Sequence, residues 1–158
     1  MEIAGEYRIA APRAVVWQAI LDPDMLRRCI PGCKELEQTG ENAFAAKVQI
    51  KVGPVSATFS GTVELQDIEP PSSCRIVGQG NGGVAGFAKG DAKVTLAEDG
   101  EETLLTYVAD AQIGGKLAAL GGRLIQATAR KLADQFFSAF AEALNAPQAE
   151  AEAAPADA

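Results

Sequence analysis

The chain contains no histidine. That absence removes Ser-His-Asp and Cys-His nucleophile chemistry, histidine-based zinc sites and every imidazole general base at once. Any catalysis would have to rest on carboxylates, tyrosines or thiols. Cysteine is almost as scarce. Cys29, Cys33 and Cys74 are the only three, an odd number with no visible secretory signal, which predicts reduced thiols rather than a disulfide framework. Cys29 and Cys33 lack both the two-residue zinc spacing and a second pair, so structural thiols are expected and no metal. There is no run of eighteen apolar residues to span a bilayer. Glu2, Glu6 and Arg8 interrupt the only place a signal-peptide core could sit. Positive charge is also in short supply, 14 basic against 21 acidic residues for a net −7, which argues against a nucleic-acid partner because phosphate binding needs a basic face. The expected setting is cytoplasmic.

What is present reads as one domain over residues 1–145, followed by an acidic, alanine-rich stretch over 146–158 whose composition predicts a disordered tail. Ile3, Gly5, Tyr7 and Ile9 alternate with charged residues as a half-buried strand would. Pro12 stands where a helix would begin, and Asp22-Pro23 supplies an N-cap and a first-turn proline for a second short helix. Between Phe44 and Leu65 the pattern is a hairpin about Gly53-Pro54, with Val52 facing Val55, Ile50 facing Ala57 and Val48 facing Phe59. A short strand around Cys74 to Gly80 precedes a second hairpin. Its arms are Val84 to Ala97 and Glu102 to Ile113, about the turn Glu98 to Glu101. From about Lys116 to Leu144 the apolar residues Leu117, Leu120, Leu124, Thr128, Leu132, Phe136, Phe140 and Leu144 recur at threes and fours. That spacing predicts one long helix, roughly 40 Å at 1.5 Å per residue, with one face to cover. Strands segregated from a covering helix make an α+β domain: a curved antiparallel sheet wrapped around a long C-terminal helix, with two short helices after the first strand. A cavity can open between helix and sheet.

Side-chain volume on the inward face locates that cavity. Strand parity and the hairpin pairing put Ala88 opposite Ala111, Gly90 opposite Ala109 and Ala92 opposite Tyr107, beside a helix start loosened by Gly114, Gly115, Gly121 and Gly122. Because interiors pack to crystal-like density, small residues on facing elements mean close backbone approach or space kept for a ligand. Phe44, Phe59, Leu105 and Leu120 would form the deeper apolar wall, with Leu117 and Leu124 on the helix side. The run Gly80 to Gly86 opens no helix and is not a phosphate-cradling fingerprint. Tyr7, Tyr107 and Asp110 are the acid or base groups that could serve an enzyme, but spacing alone brings no pair of them together. Lys116, Arg123 and Arg130 follow at seven-residue steps in a stretch without acids, which predicts one basic ridge: a solvated helix face, or a contact with a membrane or partner.

The segments CIPGCKELE (Cys29 to Glu37), VGPVSATFSGTVEL (Val52 to Leu65) and YVADAQIGGKLAALGGRLI (Tyr107 to Ile125), followed by Phe136-Phe137, resemble the carbon monoxide dehydrogenase G-subunit family. The resemblance covers about Met1 to Leu144. It implies a helix-grip fold, shared with START domains, pollen allergens and polyketide cyclases. It also implies a non-enzymatic accessory protein for molybdenum-containing hydroxylases, concerned with their attachment to the cytoplasmic membrane and with binding a quinone in an apolar pocket. No covalent cofactor is expected. Members of that family often carry a longer C-terminal extension that can anchor them; with the acidic tail in its place, reversible surface contact is the expectation here. The alternatives are a cyclase-type enzyme of the same superfamily and a docking module with an unoccupied cavity.

Overall fold

The computed structural model describes the backbone of residues 1–157 and the side chains of residues 1–144. Strand β1 (Glu2–Ile9) alternates between partly buried and exposed positions, as the sequence predicts. Helix α1 (Arg13–Ile20) starts at Pro12, whose extended backbone and missing N–H suit a helix entry, and it buries Val16, Trp17, Ala19 and Ile20. The Thr103 hydroxyl donates to the Ala11 carbonyl over 2.7 Å in a fully buried position, fixing the chain as it leaves the sheet. In α2 (Pro23–Cys29) the Asp22 carboxylate accepts from the Asp24 amide at 3.0 Å, which satisfies one of the free donors of the first turn.

A meander follows: β2 (Cys33–Gly40), β3 (Ala43–Val52), β4 (Val55–Glu69), β5 (Ser73–Asn81), β6 (Phe87–Asp99) and β7 (Glu102–Gly114). With β1 paired to β7, the seven strands form one antiparallel sheet in the order β1-β7-β6-β5-β4-β3-β2. The first hairpin has the expected register, Val52 to Val55, Ile50 to Ala57 and Val48 to Phe59. The second is displaced by two residues from expectation. Asp99 pairs with Glu102 across a two-residue turn, Gly100-Glu101, so Ala88 faces Ile113, Gly90 faces Ala111, Ala92 faces Ala109 and Val94 faces Tyr107. Gly100 has φ +64°, a conformation that favours glycine and permits the tighter turn. A two-residue slip preserves parity, so every side chain keeps its predicted face. Val84 is not in a strand; Gly83–Ala85 form a single 3₁₀ turn between β5 and β6.

The expected single helix is two. Helix α3 (Lys116–Ala119) ends at Leu120, Gly121 takes φ +95°, and α4 (Gly122–Asp157) starts afresh. The tail expected over 146–158 falls on residues whose side chains lie outside those described; α4 is assigned along their backbone as far as Asp157. The core divides along the length of α4. Ile9, Trp17, Val94, Leu96, Leu105 and Phe140 pack the half beneath α1, while Val52, Phe59, Ala85 and Leu117 form a smaller cluster at the far end. No helix among the described residues is long and apolar enough to cross a membrane.

Candidate functional site

Between these two packed regions lies a cavity of about 470 Å³. Ligand sites span roughly 300–1,000 Å³, so its size suits a small organic molecule. The sheet contributes Val48, Ile50, Val52 and Phe59 from the first hairpin, and Ala88, Gly90, Ala111 and Ile113 from the second. Ile125, Thr128, Ala129 and Leu132 close it from α4, Leu117 from α3, and Ile3 and Ile30 from the flanks. Thr128 donates its hydroxyl to the Leu124 carbonyl at 2.9 Å, which leaves its methyl as the group available to the cavity. Lys89 is the only charged side chain among the lining residues, and its position in β6 is that of an outward-facing residue between Ala88 and Gly90. A larger cleft of about 1,050 Å³ has a polar lining that includes Lys47, Ser60, Thr62, Gln79 and Asn81.

The small residues serve both purposes that sequence left open. A Cβ on Gly90 would lie 2.4 Å from the Asp110 carbonyl oxygen, and one on Gly61 2.8 Å from that of Gln79, so at these two positions the sheet backbone approaches too closely for any side chain. At Gly80 the nearest atom to such a Cβ is 3.8 Å away, and Ala88 and Ala111 border open space. The sheet bends at the first set. The second set leaves the room.

Of the residues singled out from sequence, Phe59, Ala88, Gly90, Ala111 and Leu117 converge on the cavity. Leu105, Tyr107 and Ala109 belong instead to the packed core, and Phe44 is buried at the opposite end of β3. Leu120 packs into the small end cluster. Leu124 is 36% exposed and leans over the β3–β4 turn, where a Cβ on Gly53 would meet its Cδ2 at 2.9 Å. Gly121 has no atom within 4 Å of its Cβ position and marks the break between helices. That break resets the helical phase, so Ile125 takes the buried place that an unbroken stripe gives to Leu124. It also divides the basic ridge. Arg123 and Arg130 share α4 whereas Lys116 sits on α3, and all three are exposed.

Beyond the cavity the Phe137 ring stacks on Tyr7 (centroids 4.6 Å apart) and on Tyr107 (5.4 Å), and Phe136 meets Phe137 edge-on at 4.9 Å. The Tyr7 hydroxyl donates to the Asp134 carboxylate, tying β1 to α4. Burial, followed by that hydrogen bond and the negative charge beside it, pushes the Tyr7 phenol far above its ordinary range. Asp110 carries 69% exposed carboxylate on the outer side of β7 and pairs with the Met1 ammonium. None of Tyr7, Tyr107 and Asp110 lines the cavity. The three thiols are free, and burial raises each above its ordinary value of 9.0, so they are protonated at neutral pH. Among the described residues no group of three or more His, Cys, Asp or Glu side chains converges as a metal site would require.

Comparison with known proteins places this geometry. A conserved protein of known structure from Geobacillus kaustophilus is 32% identical over 92% of this chain and 95% of its own, with a TM-score of 0.87. A START-superfamily protein from Mycobacterium smegmatis (12% identity, 91% and 97% covered, TM-score 0.71) and the Zhui aromatase/cyclase from Streptomyces sp. R1128 (14%, 89% and 91%, TM-score 0.65) share the fold alone. No functionally curated protein matches. The family model of the carbon monoxide dehydrogenase G-subunit, CoxG, matches residues 5–145, so this chain, a helix-grip domain of the START type, belongs to the CoxG family.

Proposed function

We propose that the chain is a non-enzymatic accessory protein that carries a quinone or similar isoprenoid lipid in the helix-sheet cavity. In that role it links a molybdenum-containing hydroxylase, such as carbon monoxide dehydrogenase, to the membrane. The observation that carries this reading is the composition of the cavity wall. It is aliphatic and aromatic, with small residues at its centre and no inward acid or base. Burying apolar ligand surface is worth roughly 25 cal/mol per Å², so a wall of this kind holds an isoprenoid by area rather than by polar contacts. Family membership supports the partner. The exposed Arg123, Arg130 and Lys116 are available to meet anionic lipid or an acidic patch on that partner.

A cyclase-type enzyme is the second reading, because an aromatase/cyclase shares the fold. Against it stands the placement of Tyr7 and Tyr107 in the aromatic stack and of Asp110 on the outer face, which leaves the cavity without a proton donor or acceptor. Organic extraction of the purified protein followed by mass spectrometry tests the proposal. A co-purifying quinone or other isoprenoid is expected; a polyketide-like aromatic, or no hydrophobic molecule even after incubation with quinone, would contradict it.

A further inference from the structure

The meander places successive turns at alternate ends of the sheet, and the two ends differ sharply in chemistry. At one end the β2–β3, β4–β5 and β6–β7 turns carry Glu41, Asp67, Glu69 and the run Glu98, Asp99, Glu101 and Glu102. Arg8 and Arg13 reach that end to pair with Asp99 and Glu98. At the other end the β3–β4 turn, the Gly83–Ala85 turn and the segment from β7 through α3 into α4 come together. Ala85 packs with Phe59 and Leu117, a Cβ on Gly115 would sit 2.5 Å from the Gly86 Cα, and Leu124 covers Gly53. Residues 51–56, 81–88 and 111–124 contain no acid at all, although the chain carries 21. Their charged side chains are Lys51, Lys116 and Arg123, all exposed. The nearest acid along β7, Asp110, is paired with the Met1 ammonium.

At the apex of this end stands Val84, 86% exposed at the tip of its turn. Gly83 and Gly86, at φ +65° and +118°, hold it out, while Ala85 beside it is buried. Leu124 adds a second exposed aliphatic group nearby. A protruding aliphatic tip ringed by cations, with no acid to repel phosphate, is the combination that seats a protein on an anionic bilayer.

We propose that this end docks on an anionic lipid surface with Val84 inserted among the acyl chains. Leu117 and Phe59 would then lie just behind the bilayer surface and the acidic end would point away from it. The proposal rests on the reading of the chain as a lipid carrier that meets the membrane, and adds which surface does so. It orients the molecule, because the small cluster of Val52, Phe59, Ala85 and Leu117 is all that separates the membrane face from the cavity.

The test uses the full chain with vesicles of mixed phosphatidylglycerol and phosphatidylcholine. Val84→Trp adds an indole to a chain whose single tryptophan, Trp17, is only 4% exposed. On vesicle binding the new indole should shift its emission to the blue and be quenched by brominated acyl chains, whereas the parent spectrum stays unchanged. Val84→Asp should lower vesicle affinity by about tenfold or more while quinone retention in solution is unaltered. A solvent-exposed indole on the bound protein, parent-like vesicle binding by Val84→Asp, or a parent that binds no anionic vesicles would overturn the proposal. So would a Val84→Asp variant that keeps vesicle binding and loses only its oxidoreductase, since the surface would then be a protein interface. Quinone retention is read separately, so failure here and failure of the carrier reading are distinguishable.

Discussion

Gly5 in β1 faces Tyr107 in β7, and the tyrosine ring lies over the glycine: a Cβ on Gly5 would stand 2.6 Å from Tyr107 Cε1. The missing side chain is what lets the ring lie flat against the sheet and stack on Phe137. Gly5→Ala should therefore cost about 1–3 kcal/mol, the range for overpacking, and Gly5→Val more. Urea unfolding of the two variants measures it. Parent-like stability would mean the ring is free to move aside.

Tyr7 spans the same cluster, with its hydroxyl on Asp134. Tyr7→Phe keeps the stacking and removes the hydrogen bond, for an expected loss of about 1 kcal/mol. Asp134→Asn should lose less, because an amide oxygen still accepts from the phenol. Chemical denaturation at neutral pH distinguishes the two.

Stability should fall on the alkaline side. Cys29, Cys74 and Tyr7 each have a folded-state pKa raised above the ordinary value, 9.0 for the thiols and 10.0 for the phenol. The unfolded chain therefore releases protons first, and the contribution of each group is complete below its ordinary pKa and lost as pH rises through the folded one. Unfolding free energy should hold steady near neutrality and decline from about pH 9, with Tyr7→Phe removing the part of the decline that begins about a unit higher. A profile that stays flat to about pH 11 would contradict the burial of these groups.

The basic residues should matter for association and not for folding. Lys116, Arg123 and Arg130 are exposed, and Glu is as good a helix former as Lys or Arg. Replacing all three by Glu should leave thermal stability nearly unchanged. Each basic group near an anionic surface is worth about 1 kcal/mol, so binding to anionic vesicles or an acidic partner should weaken roughly a hundredfold, and salt should weaken the parent similarly. Undiminished binding would make them ordinary solvated groups.

Most of the architecture was legible in sequence because parity and turn residues act locally. Val52-Gly53-Pro54-Val55 fixes its hairpin register outright, and Asp22-Pro23 its helix start. Three features were not legible. Strand β2 carries one apolar side chain, Leu36, among Lys34, Glu35, Glu37 and Gln38, and as a bulged edge strand it shows no alternation. The register at Gly100 depended on whether the turn took two residues or four, which local composition does not decide. The helix break came from a Gly121-Gly122 pair that an amphipathic stripe runs straight across. Its consequence for the cavity is direct: sequence found the small residues Ala88, Gly90 and Ala111, whose faces follow from parity, and missed Ile125 and Ala129, whose faces follow from the phase of α4.

The central claim is that the space bordered by Ala88 and Ala111 is a ligand site, and cavity filling tests it most directly. Parent, Ala88→Trp and Ala111→Trp are each incubated with a quinone, passed through a desalting column and assayed for retained quinone and for thermal stability. The account predicts stoichiometric retention by the parent and loss of retention by both variants, with folding preserved because an indole enters existing space. Variants that unfold, by more than the roughly 1–3 kcal/mol typical of overpacking, or that fold and retain quinone as the parent does, would contradict it.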